Sequence, residues 1–247
     1  MTASLPMYMR PELSDAHNTY WSLIQSQLKN RGITAPDVLQ HPSDFDAFWN
    51  DPDLVLSQTC GMPYRNQLHG KVQLAGTPDF GIAGCQPGYY RSAIVVHAEK
   101  AGRAITDFKD QVLAFNSEGS QSGYSAAFQH FKKHGFWPQN RLQSNGHQAS
   151  ALAVVTGEAD IASIDAVTWR LLDRYEDFTS QLHVLDWTDP TPGLPYITAN
   201  TNDSNKVFDA VSAAIAELPA DAQELLGIKA LIKIDAADYL AVPNPDT

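Results

Sequence analysis

The segment AFNSEGSQSGYSAAF, residues 114–128, has the residue types and spacing of an anion-binding turn. An apolar stretch runs into a turn rich in serine and glycine, and the turn opens a predicted helix. The first N–H groups of a helix have no partner within the helix and lie at the positive end of its dipole, so they can bind an anion. Gly119 and Gly123 let the backbone approach a ligand closely. Further donors in the turn come from the side chains of Asn116, Ser117, Ser120 and Ser122.

Three interpretations of this turn compete. A capped helix start needs only the serines, and an oxyanion site needs the serines together with the helix N–H groups. A nucleophile elbow, G-x-S-x-G, would need serine at position 121, where the chain has Gln121, so that pattern fails. The chain also has no G-x-x-x-x-G-K-[ST] segment, which excludes a nucleotide P-loop. The capped start and the oxyanion site both stay open.

A second segment, residues 144–169, supplies a histidine and a carboxylate. His147 follows Gly146 at the start of a predicted helix, where its ring can donate a hydrogen bond to an anion whether protonated or not. Asp165 ends a predicted buried strand, the position at which α/β folds place their ligand-binding loops. The alternatives are a helix-terminal His147 without a ligand and an Asp165 that caps the following helix.

Short apolar strands alternate with amphipathic helices along the chain, which predicts an α/β fold with a mainly parallel sheet and helices on both faces. Two stretches rich in Pro and Gly, 84–88 and 188–195, bracket the middle of the chain. We therefore expect two lobes with a ligand cleft between them. The first consists of residues 1–88 and 188–247, and the second of residues 89–187. One continuous sheet with two surface loops is the alternative.

The 247 residues carry 17 Lys+Arg against 28 Asp+Glu, a formal net charge of −11. This balance argues against nucleic-acid binding, which needs a basic surface. Hydrophobic residues make up 43%, enough for a core. The overall field repels an anionic ligand, so its attraction must come from local donors. If Asp165 lines the cleft, a zwitterion carrying an amine suits the site better than bare phosphate.

Two cysteines, Cys60 and Cys85, belong to no CxxC or Cys/His cluster, so no zinc site is predicted there. They are either two thiols or one disulfide, and a disulfide would require an oxidising compartment. The N-terminus MTASLPMYMRPEL has neither the charged nor the apolar region of a signal peptide. We expect either a cytoplasmic protein or one whose leader has been removed.

Three ordered motifs resemble a known family. The turn S-x-G-S-x-S-G, then G-H-x-A, then G-x-A-D-I-A-x-I-D are similar to the phosphonate/phosphate-binding proteins of ABC importers, which are type II periplasmic binding proteins. The resemblance covers most of the chain and is clearest over 53–66, 86–97 and 111–169. It implies a two-lobed, monomeric solute-binding protein in the periplasm, with an ABC permease as partner. It implies no catalysis, cofactor or metal.

The resemblance also implies a role for individual residues. Ser120, Ser122 and the N–H of Gly123 would hold the phosphonyl oxygens, and His147 would reach the same oxygens. Tyr90 matches a tyrosine at the crossover between lobes, and Asp165 matches an acidic residue that can meet a substrate amine. The complete ligand-binding set is Tyr8, Gln58, Thr59, Tyr90, Asn116, Ser120, Ser122, Gly123, His147 and Asp165.

Other functions remain compatible with these residues. A cytoplasmic ligand sensor could use the same fold without a transporter. An enzyme could use His147 as a base oriented by Asp165. Within the binding class, a sulfonate or a small pyrimidine could replace the phosphonate, because fold does not determine function.

Overall fold

The structure is a computed structural model that describes residues 1–246. The chain divides into two compact units. The first unit consists of Met1–Tyr89 and Pro192–Ala241, and the second begins with Tyr90–Thr191 and includes the chain from Val242 onward. The predicted first lobe contained the whole C-terminus, whereas the last residues group with the second unit.

The described strands, in chain order, are β1 (Thr2–Ser4), β2 (Leu54–Gln58), β3 (Val72–Asp79), β4 (Tyr89–Tyr90), β5 (Ser92–His97), β6 (Val112–Phe115), β7 (Asn140–Gln143), β8 (Ile161–Asp165), β9 (Leu182–Trp187), β10 (Thr191–Pro192), β11 (Tyr196–Ala199) and β12 (Ala230–Ile232). The described α-helices are α1 (Ser14–Asn30), α2 (Phe45–Trp49), α3 (Gly61–Pro63), α4 (Ala126–Lys133), α5 (His147–Thr156), α6 (Ala166–Tyr175), α7 (Ser204–Glu217), α8 (Ala220–Leu226) and α9 (Ala236–Leu240). Short π-helical segments span Tyr64–Leu68 and Gln121–Ser125, and 3-10 turns span Pro11–Leu13, Ala98–Lys100, Ile105–Phe108 and Asp177–Gln181.

Each unit is built on a mixed five-stranded sheet. The order is β1-β2-β11-β3-β12 in the first unit and β7-β6-β8-β5-β9 in the second. β1 and β2 run parallel, as do β6, β7 and β8. In the second sheet β5 runs antiparallel to both of its neighbours, and in the first sheet both β11 and β3 do so. The α/β class is therefore confirmed, but the expectation of mainly parallel pairing does not extend to β5, β11 and β12.

The sheet of the second unit is covered on both faces, which explains the unbroken apolar run of β5. Ala93 and Val95 belong to a core cluster on the side of α5 and α6. Ile94 and Val96 belong to a second cluster on the side of α4, which includes Phe131. Alternate residues of a strand point to opposite faces, so a strand buried on both faces reads as continuously hydrophobic.

The first unit buries its own core around β2, β3 and β11. Tyr239 of α9 and Tyr64 of the π-helical segment pack edge to face there, with ring centroids 5.2 Å apart. The Tyr239 hydroxyl donates to the Gly193 carbonyl at 3.0 Å and lies 2.6 Å from the Thr77 hydroxyl, which satisfies a buried phenol.

The structure bears on the two cysteines and on membrane-spanning helices. Cys60 and Cys85 are half-buried thiols, so the disulfide interpretation is not supported. Among residues 1–246, no helix combines the length and the apolar character needed to cross a bilayer.

Candidate functional site

The serine-rich turn lies between β6 and α4, at the carboxyl end of the parallel strands of the second unit. Ser120 precedes the π-helical segment Gln121–Ser125, and its Oγ accepts a hydrogen bond from the N–H of Gly123 at 3.1 Å. The predicted capped helix start is therefore present. The same geometry leaves the turn at the amino end of α4, where the helix dipole favours an anion.

The carbonyl of Ser122 anchors the turn to the sheet. The Ser92 hydroxyl of β5 donates to it at 3.0 Å, and the Ser163 hydroxyl of β8 donates to it at 2.7 Å. Neither serine was among the predicted site residues. The signal in the sequence is a single hydroxyl within each of two mostly apolar strands, on the strand face that packs toward α4.

Gly123 is required by the close packing of Asn116. A Cβ at position 123 would lie 2.0 Å from Asn116 Oδ1, which is far below a van der Waals contact. Asn116 Oδ1 is buried and has no hydrogen-bond partner among the described residues. The group that approaches Gly123 in this structure is Asn116, and the approach of a ligand to Gly123 stays a prediction.

His147 contacts the turn directly. Its Nε2 lies 3.0 Å from Ser122 Oγ, although the two residues belong to different segments of the chain. His147 is the first residue of α5, preceded by Gly146 in extended conformation as the N-cap. The N–H of Asn145, which adopts a left-handed φ of 67°, donates to the Asn116 carbonyl at 3.0 Å. The loop before α5 is thus held against the end of β6.

The imidazole of His147 is neutral at physiological pH. Burial lowers its pKa from 6.5 to about 4, and the backbone of Ser163 offsets this only in part. Its Nδ1 is buried and has no hydrogen-bond partner among the described residues. A neutral imidazole can still donate one hydrogen bond to an anion, but it adds no positive charge to the site.

Asp165 caps α6. Its Oδ1 accepts from the N–H groups of Val167 at 2.7 Å and Thr168 at 2.9 Å, and the residue is 2% exposed. The capping alternative is therefore the one that the structure displays. Among the described residues, no carboxylate contributes to the pKa of His147, so the pairing that an acid–base catalyst would need is not observed there.

Aromatic rings pack beside the turn. Tyr124 lies next to Gly123, with its ring centroid 5.0 Å from that of Phe115 and 5.5 Å from that of Trp137. Trp137 also meets Phe128 edge to face at 5.2 Å. The indole of Trp137 thus contacts the ring of Tyr124, the residue that follows Gly123 in the turn.

The predicted residues of the first unit have structural roles of their own. Gln58 Nε2 donates to the Leu194 carbonyl at 3.3 Å, and the N–H of Thr59 donates to the Pro195 carbonyl at 3.0 Å. Tyr8 adopts a φ of 66°, a strained conformation for a non-glycine residue, and packs edge to face on Phe80. In the second unit, Tyr90 is buried in β4. Ligand contacts by these residues stay predictions.

The arrangement in the second unit suits recognition of an oxyanion by hydrogen bonds. It combines helix N–H groups, serine hydroxyls and a neutral imidazole, held by Ser92 and Ser163. The Ser122–His147 pair has the separation of a nucleophile and its base. A base with a pKa of about 4 is weak at neutral pH, however, so the pair is better suited to binding than to proton abstraction.

Comparison with known proteins places this site in context. Residues 57–239 match a family described as ABC transporter, phosphonate, periplasmic substrate-binding protein. A comparison with curated protein sequences gives no match. Among solved structures, PhnD1 from Prochlorococcus marinus in complex with methylphosphonate aligns with a TM-score of 0.72 and 14% identity, covering 96% of this chain and 93% of that one.

Two further solved structures share the fold. A binding protein component of an ABC phosphonate transporter from Pseudomonas aeruginosa aligns with a TM-score of 0.68 and 14% identity, covering 97% of this chain and 82% of that one. A protein from Xanthomonas citri bound to ATP aligns with a TM-score of 0.72 and 12% identity, covering 96% and 91%. The two-lobed periplasmic-binding-protein fold is thereby confirmed.

Proposed function

This chain belongs to the family of periplasmic substrate-binding proteins of phosphonate ABC transporters, and we propose that it binds a small phosphonate- or phosphate-like oxyanion. The observation that carries the proposal is the 3.0 Å contact between His147 Nε2 and Ser122 Oγ at the amino end of α4. It brings the two predicted donor segments together in one unit. The family is one of binding proteins, which agrees with the absence of catalysis from our prediction.

The donors present are sufficient for useful affinity. Hydrogen bonds to an ionised group contribute about 1.5–3 kcal/mol each. Four or five of them, after the cost of association and ordering, support micromolar binding or tighter. The candidate donors are the hydroxyls of Ser120 and Ser122, the N–H groups around Gly123 and the ring of His147. The hydrogen bonds of Gly123 N–H to Ser120 Oγ and between Ser122 Oγ and His147 Nε2 would be exchanged for bonds to the ligand.

Charge considerations agree with a ligand recognised at short range. The net charge of −11 repels an anion at a distance, and His147 is uncharged at neutral pH. Binding must therefore rest on the helix dipole and on oriented neutral donors. The structural neighbours in complex with methylphosphonate and with ATP both hold a ligand that carries a phosphoryl or phosphonyl group, which supports the same ligand chemistry here.

We further propose that Tyr90 and the first-unit residues Tyr8, Gln58 and Thr59 complete the site when the lobes close over the ligand. The closed protein would then deliver the ligand to an ABC permease, as the family implies. Both capping hydrogen bonds of Asp165 go to its Oδ1, and recognition of a ligand amine by this carboxylate stays a prediction. Phosphonates without an amine are accordingly included among the candidate ligands.

Isothermal titration calorimetry tests the proposal. The panel consists of methylphosphonate, an aminoalkyl phosphonate, phosphate, phosphite and a sulfonate. We expect at least one ligand to bind, and we expect Ser122→Ala and His147→Asn to weaken its binding about 10- to 100-fold each, the equivalent of one hydrogen bond to an ionised group. Ser180→Ala replaces an exposed serine of the second unit that lies outside the turn, and as the matched control it should leave affinity unchanged. Failure of every oxyanion to bind would refute the proposed function.

A further inference from the structure

A second cluster in the same unit has no part in the proposed ligand site. His130 lies in α4 and His134, one turn later, is the C-cap of that helix, with the two ring centroids 5.0 Å apart. Asp186 of β9 faces them, and its Oδ2 lies 3.4 Å from His130 Nε2. One ligand atom from each of the three residues lies within 4.8 Å of the other two.

We infer that His130, His134 and Asp186 form a binding site for a divalent transition-metal ion, with zinc as the ion that we test. Two imidazoles and one carboxylate are a ligand set that zinc binds readily, whereas magnesium and calcium prefer oxygen ligands alone. The inference departs from the sequence-based expectation of no metal. It is independent of the proposed oxyanion binding.

The distances fit zinc coordination. Tetrahedral bonds of about 2.0–2.1 Å place two ligand atoms about 3.4 Å apart. The His130–Asp186 separation of 3.4 Å already has that value. His134 is exposed and Asp186 is partly exposed, so a change of rotamer in either side chain can close the remaining distances without moving the backbone.

A second observation points to a ligand at this position. The side chain of His130 is 7% exposed, and its buried Nε2 makes no hydrogen bond within the described chain. A buried polar nitrogen without a hydrogen bond is costly, and coordination of a metal would satisfy it. That nitrogen is also the atom that faces Asp186.

The surroundings permit a cation. Lys133 is the nearest positive side chain in sequence, and its ammonium group pairs with Asp189. The exposure of His134 leaves a path for the ion from solvent. Three protein ligands leave a fourth coordination position, which a water molecule would take in a zinc site.

The test uses the full chain after treatment with a chelator and dialysis. We expect Zn²⁺ to bind with a stoichiometry of one in calorimetry, and Co²⁺ to give the intense visible absorption of a tetrahedral site. His134→Ala and Asp186→Asn should each weaken Zn²⁺ binding by about 10-fold or more, because even the loss of an outer partner of a ligand costs about 10- to 100-fold. Both residues are accessible, so these variants leave the core intact.

His183→Ala is the matched control. It removes an exposed histidine from β9, the strand that also contains the proposed ligand Asp186. It should bind Zn²⁺ as the unmodified chain does. Absence of Zn²⁺ binding by the unmodified chain would overturn the inference. So would equal binding by His134→Ala, Asp186→Asn and the control, which would assign the metal to another place.

Discussion

Acidification should destabilise the protein, and the buried side chain of His147 should account for a measurable part of the loss. Burial lowers the pKa of this imidazole in the folded protein from 6.5 to about 4. The unfolded chain therefore binds a proton at a higher pH than the folded chain, so the free energy of unfolding falls as the pH drops from about 6.5 to about 4. Because one pKa unit corresponds to about 1.36 kcal/mol, the loss from His147 approaches about 3 kcal/mol at the lower end of this window.

The variant His147→Gln isolates this contribution, because glutamine is polar but does not titrate. Urea denaturation of both proteins between pH 7 and pH 4 gives the free energy of unfolding at each pH. We expect the unmodified protein to lose about 3 kcal/mol more than the variant over that range. The pKa values of His17 and His130 are also lowered by burial, but they titrate in both proteins and cancel from the difference.

The control for this experiment is His183→Gln, which replaces an exposed histidine and should follow the unmodified protein at every pH. Parallel stability curves for the unmodified protein and His147→Gln would refute the reasoning. An NMR titration of the His147 ring with a midpoint near 6.5 would refute it as well, because the ring would then not be desolvated in the folded protein.

Three substitutions test other parts of the second unit. Gly123→Ala should weaken oxyanion binding by about 10-fold or more in calorimetry, because its Cβ would collide with Asn116 Oδ1 and displace the turn; unchanged affinity would contradict the proposed role of the turn. Ser163→Ala removes the 2.7 Å hydrogen bond to the Ser122 carbonyl and should lower the free energy of unfolding by about 1 kcal/mol in urea denaturation; no loss would show that this bond is not needed. Phe131→Ala empties a fully buried position and should cost about 3–5 kcal/mol in the same assay; a cost below about 1 kcal/mol would contradict the packing described.

The sequence predicted the turn and the helices better than their contacts. Ser120 and Gly123 have the spacing of a capped helix start, and local capping depends only on near neighbours. The contact of Ser122 with His147 was anticipated only through the family resemblance, since nothing local joins the two segments. The anchoring of Ser122 by strand serines escaped prediction because it depends on which strands are adjacent in the sheet, a non-local property.

The same reason explains the other differences. Alternating strands and helices indicate parallel pairing. However, β5 and β11 are the strands by which the chain enters or re-enters a unit, and they are antiparallel to their neighbours. Asp165 had two possible roles in the sequence; the structure shows the cap of α6, and contact with a ligand stays a prediction. The cluster of His130, His134 and Asp186 brings the end of α4 together with β9. The spacing of the two histidines alone therefore did not reveal it.

The aromatic packing beside the turn gives the protein an intrinsic optical reporter. The ring of Tyr124, the residue after Gly123, packs against Trp137, so a ligand that shifts the turn also shifts the environment of an indole. Tryptophan emission responds to such changes without any added label. Ligand screening could therefore follow the fluorescence of the unmodified chain, and Trp137→Phe would assign the signal to this fluorophore.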